Sequence, residues 1–169
     1  ALASQAATLD PQNEAGQTDA KAGDYMKTPW HLWVLGVVML VWFAFGAFDY
    51  TMSHLRSPWY LAMIPEPMRS DLLAYLDTYP AWATAAWAVG VWFAVLGAVL
   101  LLARSRLCVP ALMLALLGFL ANSAYTYLIG PKTPALTGTG SMLFSAVILV
   151  SLLLCIAYVR RLNFKGILR

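Results

Sequence analysis

The stretch Trp82–Ile129 reads WATAAWAVGVWFAVLGAVLLLA, then Arg104-Ser105-Arg106, then LCVPALMLALLGFLANSAYTYLI. Each flank is long enough to cross a bilayer, since a span needs about 20 mostly apolar residues for a hydrocarbon core of roughly 30 Å. The interruption between them is polar, doubly charged and short enough for only a tight turn. The pair reads as a transmembrane hairpin whose turn is held at one water interface by two guanidinium groups.

Working outward from the hairpin, two further apolar runs appear, one on each side. Together the spans are predicted at about 30–50, 82–103, 107–129 and 142–158. Composition agrees with this reading. Mean hydropathy is +0.68, hydrophobic residues make up 61% and charged residues 11%, where a soluble domain carries about a quarter charged. The expected fold class is all-α, an integral membrane four-helix bundle. It divides into a polar N-terminal tail (1–29), the bundle (30–158) and a basic C-terminal tail (159–169). The basic residues fall at span boundaries, where lipid headgroups and not nucleic acid are the expected partners.

Charge placement predicts topology. Lys21, Lys27, Arg104, Arg106, Arg160, Arg161, Lys165 and Arg169 share one side, against Arg56, Arg69 and Lys132 on the other. Lys and Arg are retained in the cytoplasm during insertion, so both termini are expected there, and the protein in a bacterial inner membrane. The tail Ala1–Asp24 is polar, with Leu2 and Leu9 its only large aliphatic residues, a composition expected to stay disordered unless it lies against a partner. It lacks the basic patch and immediate apolar core of a secretory signal. Met26 stands as an alternative internal start. Thr28-Pro29 supplies a helix start, with Trp30 and Trp33 at the interface.

Between spans 1 and 2, Glu66–Thr78 is expected to form a short amphipathic outer-loop helix. Met68, Leu72, Leu73, Leu76 and Tyr79 fall near one face and Glu66, Arg69, Ser70 and Asp77 on the other. It would cap the bundle or dock a partner. Span 2 carries Ala86, Gly90, Ala94 and Ala98 at four-residue intervals, a stripe that lets another helix backbone approach closely.

Polar residues inside a membrane are costly, so they mark where chemistry would sit. Asp49 is the one carboxylate within a predicted span, about 28 Å along from Trp30 at 1.5 Å per residue. Thr126 lies at a similar height on span 3, Asn122 a turn deeper, and Thr84 and Ser145 in the same half of spans 2 and 4. These five, with Trp87, are the candidate ligand-binding residues, in a small polar pocket further lined by Trp82, Tyr50 and Tyr125. The alternative is that Asp49 snorkels to water and Asn122 only bonds a neighbouring helix.

His31 and His54 are about 34 Å apart on one helix, which excludes a bis-histidine haem within one subunit. Cys108 and Cys155 have no CxxC partner and read as small apolar fillers. No GxGxxG, P-loop, HExxH or GxSxG pattern occurs. No catalytic, metal or cofactor-binding residue is assigned, and a complete enzyme site is not expected. A bound lipid or quinone stays open.

Gly36 and Gly46 in the first span, the following loop, Gly90, Gly97 and the run LLLARSR at 100–106 give a plan that resembles the DoxX-like group of small bacterial four-helix membrane proteins. The chain is also similar to uncharacterised proteobacterial proteins with the motifs TPWHLW, here Thr28–Trp33, and GAFDY, here Gly46–Tyr50. Some DoxX relatives are linked to quinone-coupled sulfur oxidation and others to redox assemblies. DoxX-type sequences often place a lysine soon after the first-span glycine, where this chain has Asp49, so no catalytic residue is carried over. The first expectation is a non-catalytic accessory subunit of a larger respiratory or other energy-transducing membrane complex, or a homo-oligomer. Second is a carrier or binding protein for a small solute, lipid or quinone, and third a membrane subunit of a quinone-linked oxidoreductase.

Overall fold

The computed structural model describes residues 30–168, so the expectations for the N-terminal tail and for Arg169 lie outside the described residues. The architecture is all-helical among those residues. In chain order the elements are α1 (Trp30–His54), α2 (Pro58–Ala62), α3 (Met68–Asp77), α4 (Ala81–Leu102), α5 (Cys108–Ala124, continued by a π-helical turn, Tyr125–Ile129), α6 (Pro134–Thr137) and α7 (Thr139–Phe164). Four of them, α1, α4, α5 with its π-turn and α7, are long and apolar enough to cross a membrane.

Exposed Val34, Val37, Val38 and Val41 on α1, Leu117 and Leu120 on α5, and Leu143, Val147 and Leu154 on α7 clothe the outside of the bundle. In water such continuous apolar surface would be a liability. Facing acyl chains it is the expected surface, and the chain is a multi-pass membrane protein by its architecture.

Helix ends explain where the spans stop. Arg104 adopts φ 58°, its N–H reaching Leu101 O and that of Ser105 reaching Leu100 O at 2.8 Å. That is the two-bond Schellman termination, and it turns α4 into α5 within a few residues. Arg56 (φ 49°) and Gly166 (φ 68°) end α1 and α7 in the same way. Two of the three left-handed positions hold arginine where glycine is the unstrained residue, a local cost of about 1 kcal/mol or more each.

The fourth helix runs to Phe164, beyond the predicted 142–158, so Arg160 and Arg161 sit on α7 itself and the tail is shorter than expected. The reason is local. Nothing from Val159 to Phe164 breaks a helix, and the apolar run that set the prediction measures the membrane, not the helix. The loop likewise holds two helices, α2 and α3, where one was expected, because Pro58 starts an additional turn.

Within the bundle α1 packs on α4, α4 on α5 and α5 on α7, while α1 and α7 make no extended interface with each other. The α4–α5 crossing is the closest. A Cβ added at Gly118 would lie 2.5 Å from Gly90 N and 2.6 Å from Ala86 O, so the predicted small-residue stripe is occupied by a helix of the same chain. Ala94, Ala98, Leu101, Cys108, Leu112 and Ala115 continue this seam as a buried core. At its foot Arg104 and Arg106 donate to the carbonyls of Ile167 (3.3 Å) and Leu168 (3.1 Å), seating a buried Leu168 beneath the bundle. The rings of His31 and Tyr158, 5.9 Å apart, bring α1 and α7 together at this basic end. Toward the other, aromatic end they part.

Candidate functional site

The gap where α1 and α7 part is a cavity of about 330 Å³. Its walls come from all four long helices. α1 gives Trp42, Phe43, Phe45, Gly46 and Asp49; α4 gives Trp87, Gly90, Val91 and Ala94; α5 and its π-turn give Phe119, Asn122, Ser123, Thr126 and Tyr127; α7 gives Ser141, Phe144, Ser145, Ile148 and Leu152. The spacing 87, 90, 91 and 94 is one helical stripe of α4, and 141, 144, 145, 148 and 152 one stripe of α7.

Over the aromatic end lies a roof. Helix α3 contributes Leu72 and Tyr75, the following loop Tyr79, and α6 Leu136. Two phenols pin this roof to α5: Tyr75 OH and Thr126 Oγ1 are 2.8 Å apart, and Tyr79 OH donates to Asn122 Oδ1. Tyr75, Tyr79 and Tyr125 pack ring against ring, Tyr79 standing edge-on to Tyr125 at 4.9 Å. An exposed pair, Arg56 with Asp77, ties the end of α3 back to the loop after α1. On the α7 wall Tyr127 OH meets Ser145 Oγ at 2.8 Å and donates to Ser141 O at 3.2 Å. The π-turn is what places Thr126 and Tyr127 for these contacts, closing with Gly130 N–H on Tyr125 O at 2.7 Å. Single π-turns within α-helices recur at functional sites.

Asp49 sits about 7 Å below the end of α1, which continues to His54, a full turn beyond the predicted span. It faces the cavity, and Tyr60 on α2 donates to Oδ1. Among the described residues no hydrogen bond is made to Oδ2. Ser53, one turn further along α1, is almost fully buried. Burial, then the adjoining Asp49 carboxylate, raise the Tyr60 hydroxyl pKa above its ordinary value; burial also raises those of Tyr75 and Tyr79. All three stay protonated donors at neutral pH.

Of the six candidate residues, Asp49, Asn122, Thr126, Ser145 and Trp87 line this one cavity. Thr84 does not. It lies nearly one turn beyond Trp87 toward the aromatic end, and its hydroxyl bonds its own helix at Pro80 O, 3.3 Å away. Trp82, Tyr50 and Tyr125 stand behind the wall: Trp82 packs edge-on to Tyr125 at 5.5 Å and Tyr50 edge-on to Trp87 at 5.1 Å. Sequence reading missed Trp42, Phe45 and Phe144, which differ in no local signal from lipid-facing aromatics. It also missed the tyrosine partners of Asp49, Asn122 and Thr126, which come from the connection between α1 and α4 and lie 11, 43 and 51 residues away in sequence.

Among the described residues no three of His, Cys, Asp and Glu come together as a metal site. Cys108 is buried and Cys155 half-buried, both free thiols. Comparison with protein-family models finds no match, and comparisons with curated proteins and with solved structures likewise find none.

Proposed function

We propose that this chain binds one small amphiphile within the bilayer, as a carrier or binding protein, and that it does so in the outer half of a bacterial inner membrane with both termini cytoplasmic. The observation that carries the reading is the cavity itself: about 330 Å³, inside the range of roughly 300–1,000 Å³ of small-molecule sites. Its walls are apolar and aromatic, and a few polar groups gather near one end, the division that matches a molecule with a greasy body and a polar head.

Access is from the side. The roof of α3 and α6 covers the aromatic end, whereas Trp42 and Phe45 on α1 and Phe144 on α7 are partly exposed at the rim of the α1–α7 gap. A ligand dissolved in the acyl chains reaches such a gap without crossing water. Orientation follows from charge. The basic end holds Arg104, Arg106, Arg160, Arg161 and Lys165, and the positive-inside rule puts it in the cytoplasm.

The accessory-subunit expectation draws on the lack of a catalytic motif, the small-residue stripe, the abundant aromatic surface and the N-terminal tail. The stripe is filled by α5, and the cavity supplies a site of its own, which favours the binding reading. The test is extraction in mild detergent followed by native mass spectrometry of the intact particle. A retained small molecule on a monomer or homo-oligomer is the expected result. A stoichiometric assembly with other proteins and an empty cavity would return the subunit reading to first place.

A further inference from the structure

Among the described residues Asp49 is the one charged side chain on the cavity wall, and no Lys, Arg or His shares that wall. Nine of the lining side chains are aromatic. The basic groups described at this end are engaged elsewhere: Arg56 on Asp77, Arg69 on Glu66 at 2.8 Å, Lys132 on the Tyr127 carbonyl, and His54, whose Nδ1 lies 3.2 Å from Tyr50 O with its ring against Trp87. One oxygen of Asp49 accepts from Tyr60, and the other has no hydrogen bond among the described residues.

From this geometry we propose that the ligand is a lipophilic organic cation, an amine or onium group on an apolar body. The inference rests on the binding reading above and names its ligand class. A carboxylate within the membrane requires a counter-charge or a polar outlet, and among the described residues the site provides a hydroxyl but no internal cation. The ring faces of Trp and Tyr attract cations, an interaction that strengthens when both are removed from water. Trp42, Trp87 and Tyr79 stand on the same cavity as Asp49. An anion would meet the carboxylate with nothing to neutralise either charge. A neutral amphiphile would leave Asp49 with the Tyr60 hydroxyl as its one hydrogen-bond partner among the described residues.

Calorimetry on the purified full chain in mild detergent, with tetraphenylphosphonium and its anionic isostere tetraphenylborate, separates charge from shape; decylubiquinone serves as a neutral probe. The cation is expected to bind at least about tenfold more tightly than the borate. Asp49→Asn should collapse that preference and Asp49→Glu should keep it. Gly46→Leu, which fills the cavity, should abolish cation binding; binding that survives it lies elsewhere and overturns the proposal. Equal affinity for the two ions in the wild-type chain, a ratio that needs no variant, would reject the cation while leaving the pocket intact. Absence of binding by all three probes would remove the pocket reading and the cation with it.

Discussion

Two crossings in this bundle both carry glycine, and they are built for opposite purposes. Where α4 meets α5, Gly118 and Gly90 bring backbone against backbone, and a methyl group at Gly118 would strike main-chain atoms that cannot rotate away. Where α1 faces α7, a methyl group at Gly46 would meet nothing within 4 Å. In the first crossing glycine removes space so that two helices lock through van der Waals contact, the main attraction available in lipid. In the second it leaves space, on the wall of the cavity. Glycine content alone therefore says nothing about packing until the partner surface is known.

The largest effect expected from this contrast is at Gly118. Gly118→Leu should cost about 3 kcal/mol or more through overpacking, read as loss of monodisperse protein and a lowered unfolding temperature in detergent. A small effect there would mean that the α4–α5 seam is not the rigid half. Next comes the roof. Tyr79→Phe leaves the Asn122 side-chain carbonyl without its donor and should destabilise by about 1–3 kcal/mol. Tyr75→Phe should cost less, about 1 kcal/mol, because Thr126 keeps its own bond to Asn122 O at 3.0 Å. Equal effects would show that the two phenols are not independent pins.

Alkaline titration probes the same roof. The hydroxyls of Tyr60, Tyr75 and Tyr79 have higher pKa values folded than the ordinary 10.0, so folding favours their protonated forms. Their contribution is complete below pH 10.0 and is lost as pH rises through the folded values. Absorbance at the phenolate band should show these residues ionising above pH 10.0, with the roof loosening as Tyr75 and Tyr79 do. Smallest of all is Arg56→Ala. Its pair with Asp77 is exposed on both sides, 51% and 59%, and its removal should change stability by less than about 1 kcal/mol.

The spans were legible because membrane insertion depends on length and apolarity, which any window of sequence displays. Height along a helix was legible too: equal residue offsets brought Asp49, Asn122 and Thr126 to one cavity, since rise per residue is constant. Rotation about the helix axis and the level of the roof were not. Thr84 was placed by height alone and falls beyond the cavity's reach. Tyr60, Tyr75 and Tyr79 sit in a loop whose path is set by tertiary contacts, and the π-turn at Tyr125–Ile129 leaves no composition signal. The stripe at Ala86, Gly90, Ala94 and Ala98 announced a close approach without naming the neighbour.

The most direct measurement is ligand retention by Gly46→Leu set against the wild-type chain, with thermal unfolding recorded on the same samples. The side chain enters open space on the cavity wall and replaces a poor helix former, so the unfolding temperature of the ligand-free protein should hold or rise. Retained ligand should fall to background. A variant that folds as well as the wild type and still carries the ligand at full occupancy would contradict the claim that the α1–α7 cavity is the binding site.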